Sequence, residues 1–318
     1  YVMKIDPRHL EILAAIVDGG GLTEGASALG KSQPSVSRSL TMLEQRLGVK
    51  LFEPNRRPLQ PTEFCLSLAA EGRRILEAGQ TAGQLANRFR SGQAGAVRIA
   101  GTPIFMDGVV SPRIAAFQSG HPDIRIDQSY GYVPEVIEGL TKGTIDLGIL
   151  PIRAEEIPDH LVFTEILKGR NVIACRVGHP LNGRGSVKVA DIAEFPWIAP
   201  PANSPLYHDL RAVLAGIGVQ NFKIAFTGGS LSTVINLLTG SDALTVLPYS
   251  VVFTLRRQNA LDTLSIRIGD PDRHLGILSN PELGPRPVIS RFARFIETEF
   301  KSLANLILRR EQNELWRP

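Results

Sequence analysis

Ser32–Gly48 reads SQPSVSRSLTMLEQRLG, and its large apolar residues Val36, Leu40, Leu43 and Leu47 recur at i, i+4, i+7 and i+11. That spacing lays them along one stripe of an α-helix. Ser32 is a favourable N-cap, Pro34 falls in the first turn where its missing N–H costs nothing, and Gly48 supplies a left-handed stop. Opposite the stripe lie Pro34, Arg38, Thr41 and Gln45, flanked by Ser35 and Ser37. A face of small hydroxyls, one arginine and amides suits the major groove of duplex DNA. Small residues let the backbone come close, Arg38 can fork onto guanine or phosphate, and Gln33 can pair with adenine. Taken alone, the same stretch also reads as an ordinary amphipathic helix with a polar outside.

The flanking sequence favours the first reading. Upstream, Asp6-Pro7 predicts a helix start, with Leu10, Leu13 and Ile16-Val17 as its buried face and Gly19-Gly20-Gly21 as its end. Thr23 then caps a short helix through Ala26 to Leu29, closed by Gly30. Two short helices joined by a tight turn, the second striped and outwardly polar, make a helix-turn-helix. Downstream, Leu51-Phe52-Glu53 and Pro58-Leu59-Gln60 flank the basic tip Asn55-Arg56-Arg57, the pattern of a β-wing. From Lys31 to Arg57 six cations (Lys31, Arg38, Arg46, Lys50, Arg56, Arg57) stand against Glu44 and Glu53, a net +4 that equals the charge of the whole chain. Positive charge is thus gathered where phosphate binding needs it.

The run LTEGASALGKSQPSVSRSLTMLEQRLGVKLFEPNRRPLQPT resembles the N-terminal signature of LysR-type transcriptional regulators. That resemblance implies that Ser32, Gln33, Pro34, Ser35, Ser37 and Arg38 open a recognition helix, with Thr41 on its outer face and Arg56 and Arg57 on the wing. One departure stands out: where the family has Leu-Thr and then Ala-Gly, this chain has Leu59-Gln60-Pro61-Thr62-Glu63. Thr62 is left to cap the next helix instead.

With 318 residues, 43% of them hydrophobic and 21% charged, the chain has enough apolar material for two or three compact units. A net charge of +4 is too mild to name nucleic acid by itself. No apolar run is long enough to span a membrane, and the N-terminus lacks the apolar core of an export signal, so the expected location is the cytoplasm. Cys65 and Cys175 carry no metal-ligand spacing and read as reduced thiols. A redox role for either would need a pairing partner or a lowered pKa.

Thr62 to Arg90 reads as one long helix with Leu66, Ala69, Arg73 and Leu76 at helical spacing and Leu85 and Phe89 continuing the face. Gly72, Gly79 and Gly83 weaken it by about 1 kcal/mol each relative to alanine. The family's equivalent helix pairs with its copy in a second subunit, where close approach would give the glycines a use. After the hinge-like Ser91–Gly95, apolar strands alternate with helices: strands at Val97–Gly101, Ile124–Gln128, Asp146–Leu150, Asn171–Arg176, Trp197–Ala199, Lys223–Thr227 and Leu244–Leu247. Helices are expected around Val109–Ser119, Val133–Thr141, Tyr207–Gly216, Ser230–Leu238 and Pro248–Arg257. Such alternation predicts an α/β fold with buried, mostly parallel sheets.

FQSGHPDIRI, IEGLTKGTIDLGIL and LTVLP also resemble the family, whose effector domain has two α/β lobes of the periplasmic-binding-protein type. The expected organisation is a winged helix-turn-helix domain (1–61), a linker helix (62–90), a hinge (91–95) and an effector domain (96–303). Within the last, lobe I is 96–163 and 268–303, lobe II is 164–267, and crossing strands lie near Val162–Leu167 and Ser265–Ile268. A closing helix over Arg291–Phe300 turns Phe292, Phe295 and Ile296 inward, and 304–318 is a tail.

Ligands of open α/β folds bind at the carboxyl ends of strands, against helix N-termini. Four such corners carry polar groups: Thr102-Pro103, Ser129-Tyr130-Gly131-Tyr132, Asn203-Ser204 and Thr227 through Ser230. Each hydroxyl read singly is an ordinary loop or capping group. Together they outline a pocket for a small polar or carboxylated effector. None of the six histidines has metal-ligand spacing, and neither GxSxG nor a Walker loop is present. The sequence therefore implies no cofactor and no catalytic set. The resemblance implies double-stranded DNA, a small effector and further copies of the chain (a dimer, then a dimer of dimers) as partners, and admits RNA polymerase as another. The rival reading is a two-lobed solute-binding protein or enzyme with an accessory N-terminal DNA-binding domain.

Overall fold

The structure, a computed structural model, describes residues 4–54, 56, 58–182, 187–202, 204–228, 230–256, 261–284 and 286–315. The chain divides into two compact units, Tyr1–Arg88 and Phe89–Pro318. The first contains α1 (Pro7–Gly19), α2 (Leu22–Ala28), α3 (Gln33–Leu47) and most of α4 (Glu63–Arg90). Asp6 caps α1, its Oδ1 accepting the Arg8 N–H at 3.0 Å, and Gly20 ends the helix at φ 73°. The short helix α2 starts two residues earlier than expected: Gly21 occupies the cap position and Thr23 lies inside the first turn. The reason is packing, since a Cβ on Gly25 would lie 2.8 Å from Ile16 Cα, and that contact fixes how α2 seats on α1.

Val36 and Leu43 of α3 are buried with Leu13, Ile16, Leu51, Cys65 and Ala69, while Leu40 and Leu47 pack at the edge of the same core. Gly48 ends α3 at φ 72°, as its position predicts. The wing is slighter than two strands. Among the described residues Phe52 and Pro61 form a single antiparallel bridge, supported by Glu53 N–H to Gln60 O and Thr62 N–H to Leu51 O, both 2.9 Å. Pro54, Pro58 and Pro61 lack the donors that a longer ladder would require. Thr62 caps α4 through Oγ1, which accepts the Cys65 N–H at 3.1 Å.

The second unit begins with β1 (Gly95–Gly101), α5 (Pro103–Phe105), α6 (Ser111–Gly120), β2 (Ile124–Tyr130), α7 (Val133–Thr141), β3 (Leu147–Ile152) and β4 (Val162–Leu167). Then come β5 (Asn171–Arg176), α8 (Val189–Ala193), β6 (Trp197–Ala199), α9 (Pro205–Gly216), β7 (Ile224–Thr227), α10 (Leu231–Thr239) and β8 (Thr245–Pro248). The chain closes with α11 (Tyr249–Arg256), β9 (Leu261–Thr263), β10 (His274–Ser279) and α12 (Pro287–Leu315). Five strands in the order β2-β1-β3-β10-β4 build the first lobe's sheet. There β1 runs parallel to β2 and β3, and β10 runs antiparallel to β3 and β4. In the second lobe β5 pairs antiparallel with β8 and β9, while β6 runs parallel to β7 and makes a parallel bridge from Trp197 to Leu244. The expectation of mostly parallel sheets thus holds for the start of the first lobe and fails in the second, because strands next to each crossover reverse direction.

Between α5 and α6 the helical run widens into a π turn over Met106–Val110. Pro112 has no N–H for the Gly108 carbonyl, and the Arg113 guanidinium takes the Val109 carbonyl at 2.6 Å. The two lobes share an apolar core, including Val109, Val110, Leu231, Leu238, Val251 and Val252. At its centre a Cβ on Gly108 would lie 2.8 Å from Val251 Cγ1.

The first crossover, out of β4, lies where the family pattern places it; the second, over 265–268, is not a strand but opens on a bend at Ser265, where the Ile266 N–H turns back to Leu264 O at 2.8 Å, and β9 and β10 follow no expectation. The C-terminal segment also differs. Residues 304–315 continue α12 rather than forming a tail. Phe292, Ile296, Phe300, Leu303 and Ile307 make one unbroken buried stripe, so burial, not chain order, sets the helix length. No helix among the described residues is long and apolar enough to cross a membrane.

Candidate functional site

In the first unit, burial of Val36 and Leu43 turns the opposite face of α3 outward. Ser32, Gln33, Pro34, Ser35, Arg38 and Thr41 are exposed and Ser37 is half-buried. Ser32 marks the helix start, but its hydroxyl makes no cap. Thr41 Oγ1 donates to Ser37 O and Ser39 Oγ to Ser35 O, each at 3.0 Å. Those two hydroxyls are engaged by their own helix, leaving Gln33, Ser35 and Arg38 as the more available donors. Lys50 is paired with Glu44 at 2.7 Å, and Glu44 also accepts the Leu51 N–H at 2.9 Å. Among the described residues Lys31, Arg38, Arg46 and Arg56 make no ion pair, so the positive surface survives without Lys50. Arg57 lies outside the described residues.

Gly72 of α4 meets α1 directly: a Cβ there would sit 2.1 Å from Leu10 O. Its use is therefore within the chain. Gly79 and Gly83 face open space, as do Leu85 and Phe89, which are 60% and 66% exposed.

In the second unit the polar corners converge only in part. A cavity of about 60 Å³ between the lobes is lined by Thr102, Pro103, Tyr132 and Ser204, together with Gly228, Thr245 and apolar residues. Thr102 is 5% exposed. Its carbonyl accepts the Phe105 and Met106 N–H groups at 3.0 Å, and its hydroxyl has no hydrogen-bond partner among the described residues. Ser204 Oγ accepts the Leu206 N–H at 3.3 Å, and Thr245 Oγ1 donates to Ile198 O at 2.7 Å. Ser129, Tyr130, Thr227 and Ser230 do not line this cavity. Ser129 Oγ donates to Ile99 O at 3.4 Å. Tyr130 is drawn to the outside, its phenol donating to Asp107 at 2.5 Å; that bond, and to a lesser degree burial, pushes the phenol pKa up. Thr227 closes an exposed strand end, and Ser230 caps α10 by accepting the Thr233 N–H at 3.3 Å. Asn203 lies outside the described residues.

Both cysteines are buried. Burial, then Glu44, pushes the Cys65 thiol up to about 11. Burial, then Asp262, pushes Cys175 up to about 12. Neither has the lowered pKa of a reactive thiol. Sequence reasoning gave no weight to buried Arg273 or to its half-buried partner Asp209, beside the second crossover; the one signal was an arginine set immediately before the apolar strand β10.

Comparison with known proteins bears on both units. Residues 7–66 match the family of bacterial regulatory helix-turn-helix proteins of the lysR type, and residues 90–301 match the LysR substrate binding domain. The chain belongs to the LysR family of transcriptional regulators. It is 29% identical to the HTH-type transcriptional regulator GbpR of Azospirillum brasilense, over 76% of this chain and 71% of that protein. It is 33% identical to the transcriptional activator protein LysR of Escherichia coli, over 56% of each chain. Among solved structures it resembles CbnR, a LysR family transcriptional regulator, with TM-score 0.71 and 21% identity, covering 92% of this chain and 100% of that one. CbnR in complex with its target DNA superposes with TM-score 0.67.

Proposed function

We propose that this regulator reads double-stranded operator DNA through α3 and is switched by a small molecule held between its two lobes. Gln33, Ser35, Ser37 and Arg38 contact base edges, with Ser32, Pro34 and Thr41 seated against the groove and Arg56 and Arg57 on phosphates. The observation that carries this is the burial of Val36 and Leu43 opposite an unpaired Arg38. In the cytoplasm the chain works as a dimer paired along α4, where Gly79, Gly83, Leu85 and Phe89 present an uncovered face, and as a dimer of dimers on paired half-sites. RNA polymerase is the partner through which it changes transcription. Thr102, Pro103, Tyr132 and Ser204 form the effector cleft, and the chain itself performs no catalysis. In a mobility-shift titration at fixed salt, Gln33→Ala or Arg38→Ala costs about 1–3 kcal/mol at a specific site. Arg56→Ala weakens all sequences alike and flattens the salt dependence. Unchanged affinity in both kinds of variant would overturn the assignment.

A further inference from the structure

A second cavity of about 520 Å³, far roomier than the cleft, lies where the chain crosses between the lobes. The crossovers touch there: Gly169 N–H donates to His274 Nδ1 at 3.0 Å, and a Cβ on Gly169 would lie 2.1 Å from Arg273 O. Apolar walls come from Phe105, Ile166, Leu206, Ala304 and Ile307. Leu206 lines both this cavity and the cleft. Ala304 and Ile307 lie beyond residue 301, where the match to the LysR substrate binding domain ends, so this wall is supplied by the continuation of α12.

The polar side of the cavity is distinctive. Arg273 is 8% exposed. Among the described residues only its Nη2 is engaged, by Asp209. A guanidinium has five N–H donors in a fixed fork, so a buried arginine with one carboxylate contact retains donors for a second anion. Arg170, stacked 4.9 Å over the Tyr249 ring, and Lys168 add positive charge on the first crossover. The other carboxylates at this cavity, Glu165 and Asp270, are exposed to water.

We propose that this cavity is a second small-molecule site, which takes a compact organic anion with an apolar body and docks its acidic group on Arg273. The volume falls in the range of ordinary ligand pockets. A molecule there touches both crossovers, α9 of one lobe and α12 of the other. It therefore binds one interlobe angle better than another and shifts the balance between them.

The test uses the full chain and two fluorescent probes of the same shape, 1-anilinonaphthalene-8-sulfonate and its uncharged counterpart N-phenyl-1-naphthylamine. Ile307→Trp fills the cavity and weakens both probes about tenfold or more. Ala304→Trp, at a half-buried position one turn earlier, does the same and serves if the first variant fails to fold. Replacing the pair together, Arg273→Gln with Asp209→Asn, weakens the sulfonate about tenfold or more and leaves the neutral probe nearly unchanged, since a charged hydrogen bond is lost only for the anion. Thr102→Val, in the cleft, leaves both probes unaffected. The proposal is overturned if the wild-type chain fails to bind the sulfonate, if both tryptophan variants fold and bind as wild type does, or if the paired replacement weakens the two probes equally.

Discussion

Arg286 donates through Nη2 to Oδ1 of Asp146 at 2.7 Å, although 140 positions separate them in the chain. Arg98 reaches the same carboxylate, by Nη2 at 2.5 Å and by its backbone N–H at 2.8 Å. Asp146 therefore ties β1, the approach to β3 and the segment entering α12 into one lobe. Burial by itself would raise its pKa, but the hydrogen bonds from Arg98 and then Arg286 hold it below the ordinary carboxylate value.

Asp146→Ala lowers stability by about 2–3 kcal/mol, the scale of charge-assisted hydrogen bonds lost from a buried acceptor. The folded-state pKa is depressed, so this contribution is fully present above the ordinary value of 3.8 and disappears as pH falls through the lower folded value. Thermal melts of wild type and Asp146→Ala should run parallel from neutral pH to about pH 5 and converge below about pH 4. A gap that stays constant into acid would remove Asp146 from this role.

The glycines of α4 divide by environment. Gly72→Ala forces a Cβ against Leu10 O, 2.1 Å away across backbone that has no room to move. It should destabilise the first unit by about 1–3 kcal/mol, the range for overpacking. Gly79→Leu and Gly83→Leu meet open space within the chain, and each improves the helix intrinsically by about 0.5–1 kcal/mol. If a second copy of α4 packs closely there, the paired substitution weakens the dimer about tenfold or more while helicity rises. Sedimentation equilibrium and circular dichroism separate the two effects.

The cysteines give a simpler reading. With pKa values of about 11 and about 12, Cys65 and Cys175 carry almost no thiolate at neutral pH. A disulfide reagent at pH 8 should leave both untouched in the native chain and titrate both once guanidinium unfolds it. Rapid labelling of the native protein would reopen a redox role.

What the sequence revealed follows from where periodicity is strong. The α3 stripe and its two ends, α7, β5 and β6 are legible because apolar spacing, proline and glycine agree on the same boundaries, although the Ser32 hydroxyl makes no cap. Thr23 misled because capping propensity is local, whereas the start of α2 is set by Gly25 against Ile16. Reading 304–318 as a tail overlooked that Leu303 and Ile307 extend the Phe292 stripe. The polar corners were found as sequence, but which hydroxyls face inward depends on contacts made far along the chain. Tyr130 is held outside by Asp107, and Arg273 is buried by pairing with Asp209, 64 positions away.

Thr102 is the cleft residue with the most to offer a ligand. It is 5% exposed and follows β1 directly. Its carbonyl is engaged by Phe105 and Met106, and its hydroxyl has no partner among the described residues. Ser204 and Thr245, by contrast, direct their hydroxyls into hydrogen bonds of the fold. The cleft's 60 Å³ admits little more than water, so an effector there must part the walls that the two lobes bring to it and thereby favour a different interlobe angle. A tenfold shift between angles needs about 1.4 kcal/mol of preference, the worth of one or two hydrogen bonds. Thr102→Val keeps the shape and removes the hydroxyl. It should weaken effector binding about tenfold or more and leave DNA affinity without effector nearly unchanged. Calorimetry with the physiological effector measures the first, and a mobility shift in its absence measures the second. An effector bound by Thr102→Val as tightly as by wild type, and lost instead on Ile307→Trp, would move the principal site from the cleft to the crossover cavity.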